Sequence, residues 1–129
     1  MVSVDNITQA RERISKYIKV TPLKSAPHLS KLTGVSVFLK LESEQVSGSF
    51  KVRGALNRLM TLPKEAAEKG VITASTGNHG LGMAFAAQQL GIDAKVVFPI
   101  GASTVKRERM KESGVEIIQD VGYEEVEPY

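Results

Sequence analysis

The sequence predicts an α/β chain, a Rossmann-like parallel sheet with flanking helices. Three observations carry that reading. Short apolar runs at 71–74, 94–98 and 115–118 have strand character. Stretches of helical composition separate them, at 81–90 and 103–113. Gly70, Gly91 and Gly114 fall where each helix gives way to the next strand. Alternating strands and helices build βαβ units and a parallel sheet. The loops that leave the strand carboxyl ends then share one edge, where ligands bind.

Each element has a local reason. Ile7, Ala10, Ile14, Tyr17 and Ile18 recur at helical spacing behind Asp5 as a cap, which predicts a helix over 5–19. Thr21-Pro22 stops it. A short helix over 26–32 is closed by Gly34, and the alternating run 35–41 reads as a strand. A polar loop over 42–48 delivers the chain to Ser49, a cap for a helix reaching Met60. A helix near 63–69 then leads into the regular βαβ part. Tyr123 begins a last helix.

Composition narrows the function. A chain of 129 residues with 42% apolar and 24% charged side chains suits one soluble domain. The net charge of +3 is spread along the sequence, so the clustered footprint of a nucleic-acid binder is missing. Even the run from Lys106 to Lys111 reads as the solvated face of a helix. There is no cysteine, hence no disulfide framework or thiol nucleophile. No apolar run approaches the ~18 residues of a membrane span, and the N-terminus lacks a secretory pattern. The expected location is the cytoplasm, with neither membrane nor nucleic acid as partner.

Two motifs carry chemistry. In Ser49-Phe50-Lys51-Val52-Arg53-Gly54-Ala55 a lysine stands at a helix start. Its neutral amine is a nucleophile, and the positive helix end disfavours the ammonium there. Burial under Phe50 and Val52 is expected to act in the same direction. In Ser75-Thr76-Gly77-Asn78-His79-Gly80 a glycine-spaced turn joins a strand to an Ala/Gly-rich helix. Its backbone N–H groups form an anion cradle, to which Ser75, Thr76 and Asn78 add donors. A P-loop is excluded, since Gly48-Ser49-Phe50-Lys51 has neither the spacing nor a Ser/Thr after the lysine. A dinucleotide fingerprint is excluded because the glycines at 77, 80 and 82 run in the reverse order. No metal is expected: His79 and His28 are the only histidines, and His28 reads as surface.

Together the two motifs resemble the threonine/serine dehydratases, pyridoxal-phosphate (PLP) enzymes of fold type II, from about Thr21 onward. The resemblance implies that Lys51 is the catalytic, Schiff-base lysine and that PLP is the cofactor. It implies that Phe50 packs near the cofactor ring and that Asn78 bonds the phenolic oxygen. Ser75, Thr76, Gly77, Asn78 and His79 would bind a small amino-acid substrate. Many members carry a second serine where this chain has Thr76; in the racemases of the group that serine serves the opposite face. Thr76 therefore favours β-elimination over racemisation, and a dehydratase of hydroxyectoine type fits about as well. The resemblance further implies that 1–48 belongs to a large PLP domain and 49–129 to a small βαβ domain. The glycine-rich phosphate loop of the family is not found here. The chain is thus expected to be an N-terminal part with little activity alone, and the full-length enzyme a homo-oligomer. A non-catalytic α/β interaction module is the alternative.

Overall fold

The computed structural model describes residues 1–99 and 104–119. Six helices and five strands follow in order among them: α1 (Val4–Ile14), β1 (Leu23–Ser25), α2 (Pro27–Thr33), β2 (Phe38–Lys40), α3 (Lys51–Met60), α4 (Lys64–Glu68), β3 (Val71–Ala74), α5 (Asn78–Leu90), β4 (Ala94–Val97), α6 (Thr104–Glu112) and β5 (Glu116–Ile118). The helix expected at Tyr123 lies outside the described residues.

The parallel sheet has the order β3-β4-β5. Val71 pairs with Ala94, and Val96 in turn with Ile117. Pleating puts Ala94 and Val96 into the core, with Val71 and Ile117 packed against it. The opposite face carries exposed Ile72 and the Lys95–Glu116 ion pair at 2.9 Å. That pair is more than half exposed on both sides, so it adds little stability.

α5 occupies the middle of the molecule. Gly80 to Ala84, Ala86 and Ala87 are all buried, so this helix is covered on almost every side. A helix apolar all round is a buried one. Its chief partner is α3. α3 buries Val52, Ala55, Leu56 and Leu59, an i, i+3, i+4, i+7 stripe. α6 adds the fully buried Met110 to the same core. Gly91 closes α5 in the left-handed conformation at φ 64°.

Several elements depart from the sequence reading. The first helix is capped by Ser3, not Asp5: Ser3 Oγ accepts from Asn6 N–H, and Asn6 Oδ1 accepts from Ser3 N–H. Its α-helical part ends at Ile14 and a 3-10 turn replaces the last residues. The strand expected over 35–41 shrinks to β2, which pairs antiparallel with β1. β1 follows Pro22 directly, and three residues carry too short a pattern to be read in advance. The two strands form a ribbon of their own, on which Leu23 and Phe38 stay exposed.

Candidate active site

The lysine is delivered by a loop that backbone hydrogen bonds hold in place. After a 3-10 turn at Glu42–Glu44, the buried Gln45 reaches back across the chain. Its Nε2 donates to Lys19 O at 2.9 Å, and its Oε1 accepts from Lys19 N–H at 2.9 Å and Val46 N–H at 3.0 Å. Ser47 and Ser49 are buried, and Ser47 Oγ donates to Ser49 O at 3.3 Å. α3 then starts at Lys51 with Phe50 in the cap position. The cap thus falls one residue later than the expected Ser49, whose hydroxyl accepts only a long 3.4 Å bond from Lys51 N–H.

A bidentate ion pair fastens this loop to α3. Arg53 Nε and Nη2 donate to the two Glu42 oxygens at 2.8 and 2.7 Å. Thr21 Oγ1 also donates to Glu42, and Arg53 Nη2 reaches Lys19 O at 3.4 Å. The Arg53 hydrogen bonds hold the Glu42 carboxyl at about 2, well below its ordinary 4.5, and the Thr21 hydroxyl adds to this. Gln45, Glu42 and Arg53 therefore lock the end of the α1 segment, the loop and α3 into one unit.

The lysine is open rather than covered. Lys51 is exposed and Phe50 is 58% exposed, with the Lys51 Nζ 5.4 Å from the Phe50 ring centroid. Val52, expected to shield the amine, turns into the core instead. The burial anticipated for the lysine is thus corrected. At the first position of a helix, successive side chains diverge by about 100° and cannot share one environment.

The second motif begins where β3 ends. Ser75 N–H donates to Val97 O at 3.1 Å, which extends the sheet pairing by one residue. The Ser75 hydroxyl then accepts from Gly77 N–H at 3.2 Å and Gly80 N–H at 2.9 Å. α5 starts at Asn78, three residues before the sequence reading placed it, so Asn78 and His79 form its first turn. Among the described residues no protein group accepts from the N–H of Thr76, Asn78 or His79. These are the donors that a helix start leaves for an anion.

His79 turns inward. Its Nε2 is hydrogen-bonded to Thr73 Oγ1 at 3.1 Å, so the ring is tied to β3 while its N–H stays at the turn. Burial, and next the positive charge of Lys51, push the imidazole below its ordinary pKa. The lysine of one motif therefore acts electrostatically on the histidine of the other. Gly82 explains how they come so close. A Cβ there would stand 2.9 Å from Val52 N and 3.0 Å from Lys51 C. α5 lies against the Lys51–Val52 peptide itself. Gly80 is constrained more softly: a Cβ would stand 2.7 Å from Met110 Cε, the end of a flexible side chain.

The structure thus brings Lys51 and Phe50 at the head of α3 beside Ser75, Thr76, Gly77, Asn78 and His79 at the head of α5. Sequence reasoning missed Glu42, Arg53, Gln45, Thr73 and Gly82. Opposite charges at 42 and 53, flanking a loop before a helix, were a usable signal for the clamp. A glycine inside a helix, which costs about 1 kcal/mol against alanine, was the signal for Gly82. Among the described residues no group of His and carboxylates could hold a metal.

An exposed amine beside a helix start at the carboxyl edge of a parallel sheet is an arrangement chemically able to take a carbonyl cofactor and an anion. The family follows from comparison: the chain belongs to the pyridoxal-phosphate dependent enzymes, whose family model matches residues 14–127. It is 44% identical over 119 residues to the catabolic L-threonine dehydratase of Staphylococcus aureus (strain USA300), covering 92% of this chain and 34% of the relative. Over 95% of its length it superposes on maize serine racemase with a TM-score of 0.88 and 39% identity, covering 38% of that chain. Threonine deaminase isoform 2 from Solanum lycopersicum, in its processed form, gives 0.80 and 33% identity over 97% of this chain and 36% of that one. The chain spans about a third of the length of the relatives it matches.

The α/β fold expected from sequence stands, and so does PLP as the cofactor of the family. The residues present fit one side of that group. The exposed Lys51 amine has the Phe50 ring beside it, and the close packing of α5 at Gly82 against the Lys51–Val52 peptide keeps that amine beside the head of α5.

Proposed function

We propose that this chain carries the amine and the substrate-binding turn of a PLP-dependent lyase acting on a β-hydroxy amino acid of L-threonine or L-serine type. The observation that carries the reading is the seat of Lys51 against the head of α5, where the Gly82 contact holds the two motifs together. The 44% identity to a threonine dehydratase supports the reaction type. Lys51 would hold the cofactor through Nζ, Phe50 would lie near its ring and Asn78 would reach it through the side-chain amide. When bound, the cofactor supplies an electron sink for negative charge at the substrate Cα. The turn orients the substrate: the N–H groups of Thr76, Asn78 and His79 donate to its carboxylate, with the Ser75 and Thr76 hydroxyls alongside. Freed when the substrate amine takes its place on the cofactor, Lys51 Nζ would take the Cα proton and return it to the departing hydroxyl, so that the Cβ–O bond breaks and water leaves. Hydrolysis of the released enamine gives a 2-oxo acid and ammonia. The reading includes a cytoplasmic homo-oligomer in which 1–48 joins a larger cofactor-bearing unit and 49–129 the smaller one, with little turnover by this segment alone.

Incubation with PLP, borohydride reduction and peptide mapping tests it. The expected label is selective for Lys51 and absent in Lys51→Ala. Label spread over surface lysines, and unchanged in that variant, overturns the reading in favour of a non-catalytic module.

Racemisation is the second reading, favoured by the overlay on maize serine racemase. The extra methyl of Thr76 argues against it by crowding the opposite face of the substrate. Clear formation of D-serine from L-serine by the complete enzyme would reverse that preference.

A further inference from the structure

The turn contains neutral donors, yet the ligand proposed for it is a carboxylate. Backbone N–H groups offer partial charges only, and a carboxylate taken out of water needs an opposite charge as well as hydrogen bonds. His79 is a poor source, since its ring is bound to Thr73 and held toward the neutral form. Lys51 is committed to the cofactor and the Cα proton.

Among the described residues a further cation reaches the turn. Lys106, in the first turn of α6, extends to the head of α5, and a Cβ on Gly77 would stand 3.3 Å from its Nζ. Among the described residues no carboxylate pairs with it and no oxygen accepts from it. Its neighbours on the helix are engaged: Arg107 Nε lies 3.0 Å from Glu108 Oε1, and Lys111 Nζ 3.6 Å from the same oxygen. α6 is therefore more than the solvated charged face that the sequence suggests. It is anchored by buried Met110 against Gly80, which fixes where Lys106 can reach.

We propose that Lys106 Nζ supplies the counter-charge for the α-carboxylate of the amino acid bound at the Ser75–Gly80 turn. This rests on the reading of the turn given above and adds to it the residue that selects a carboxylate over a neutral amide.

The test compares the wild-type chain with Lys106→Gln and Lys106→Arg, following the Thr76, Asn78 and His79 amide resonances during titration with L-serine and with L-serinamide. L-serine is expected to shift these resonances in the wild type. Lys106→Gln should bind it about ten- to a hundredfold more weakly, the value of a charge-assisted hydrogen bond. Lys106→Arg should recover most of the loss, and L-serinamide should bind Lys106→Gln no more weakly than wild type. A purely structural role would weaken both ligands together, which overturns the assignment. Unchanged L-serine binding in Lys106→Gln also overturns it, while leaving the turn as the carboxylate site. A wild-type chain whose turn ignores L-serine overturns the reading of the turn and this assignment with it. Borohydride labelling at Lys51, run on the same samples, reports independently on the cofactor side.

Discussion

Gly82→Val is expected to destabilise the chain by about 3 kcal/mol or more and to abolish selective labelling at Lys51. Two effects oppose each other at this position. Valine is a better helix former than glycine, by a few tenths of a kcal/mol. Against that, the first added carbon already stands 2.9 Å from Val52 N and 3.0 Å from Lys51 C. Those atoms are backbone, so no side-chain rotation relieves the overlap, and α3 must move away from α5. Overpacking of this kind costs about 1–3 kcal/mol for small additions, so the clash wins. Even Gly82→Ala should lose stability. Gly54→Ala is the control, because a Cβ there meets nothing within 4 Å. That change should raise stability by about 0.5–1 kcal/mol through helix propensity alone. Urea unfolding of the three variants separates the cases. A Gly82→Val chain as stable as wild type, with Lys51 still labelled, would show that the two helices do not meet in this way.

Arg53→Ala should cost about 2 kcal/mol and change how the protein responds to acid. It removes two charge-assisted hydrogen bonds to a carboxylate that is 19% exposed, and leaves Glu42 with Thr21 as its hydrogen-bonding partner. The sign of the pH effect follows from linkage. Glu42 titrates at about 2 in the folded chain and at its ordinary 4.5 when unfolded. Between those values the unfolded state binds more protons, so stability falls as the pH falls. The Glu42 contribution is complete above about 4.5 and is lost as the pH drops through 2. Without Arg53, the first cause of the depressed value, the folded and unfolded pKa values approach each other. The stability of Arg53→Ala should then vary less between pH 5 and 2 than that of wild type, which denaturant melts at a series of pH values would show. Parallel curves would mean that the clamp contributes nothing. Because Arg53 lies two residues after Lys51 and Glu42 opens the loop before it, the variant should also broaden labelling among lysines.

The alternation of 71–118 was legible because glycines mark the helix ends and each strand is a short apolar run. Lys51 and the Ser75–Gly80 turn were legible as motifs, since their residue types are local. The extents of elements were less so. α5 starts at Asn78 because the Ser75 hydroxyl captures Gly77 and Gly80 N–H and draws the helix start into the glycine-rich turn. Ser3 outcompetes Asp5 as a cap because Asn6 completes a reciprocal pair with it. β1 forms only because β2 is available to pair with it.

The sequence by itself determined the order of elements from α3 onward, the chemical groups and the family to which they point. Packing decided what those groups face. Val52 turned inward, leaving Lys51 open, because α3 buries one stripe and the first turn splits between core and solvent. Glu42 met Arg53, and Lys106 reached Gly77, because α3, α5 and α6 close on one small-residue core. Such contacts join residues far apart in the chain, and no local pattern records them. Their geometry exists only once Gly80 and Gly82 of α5 let its neighbours in.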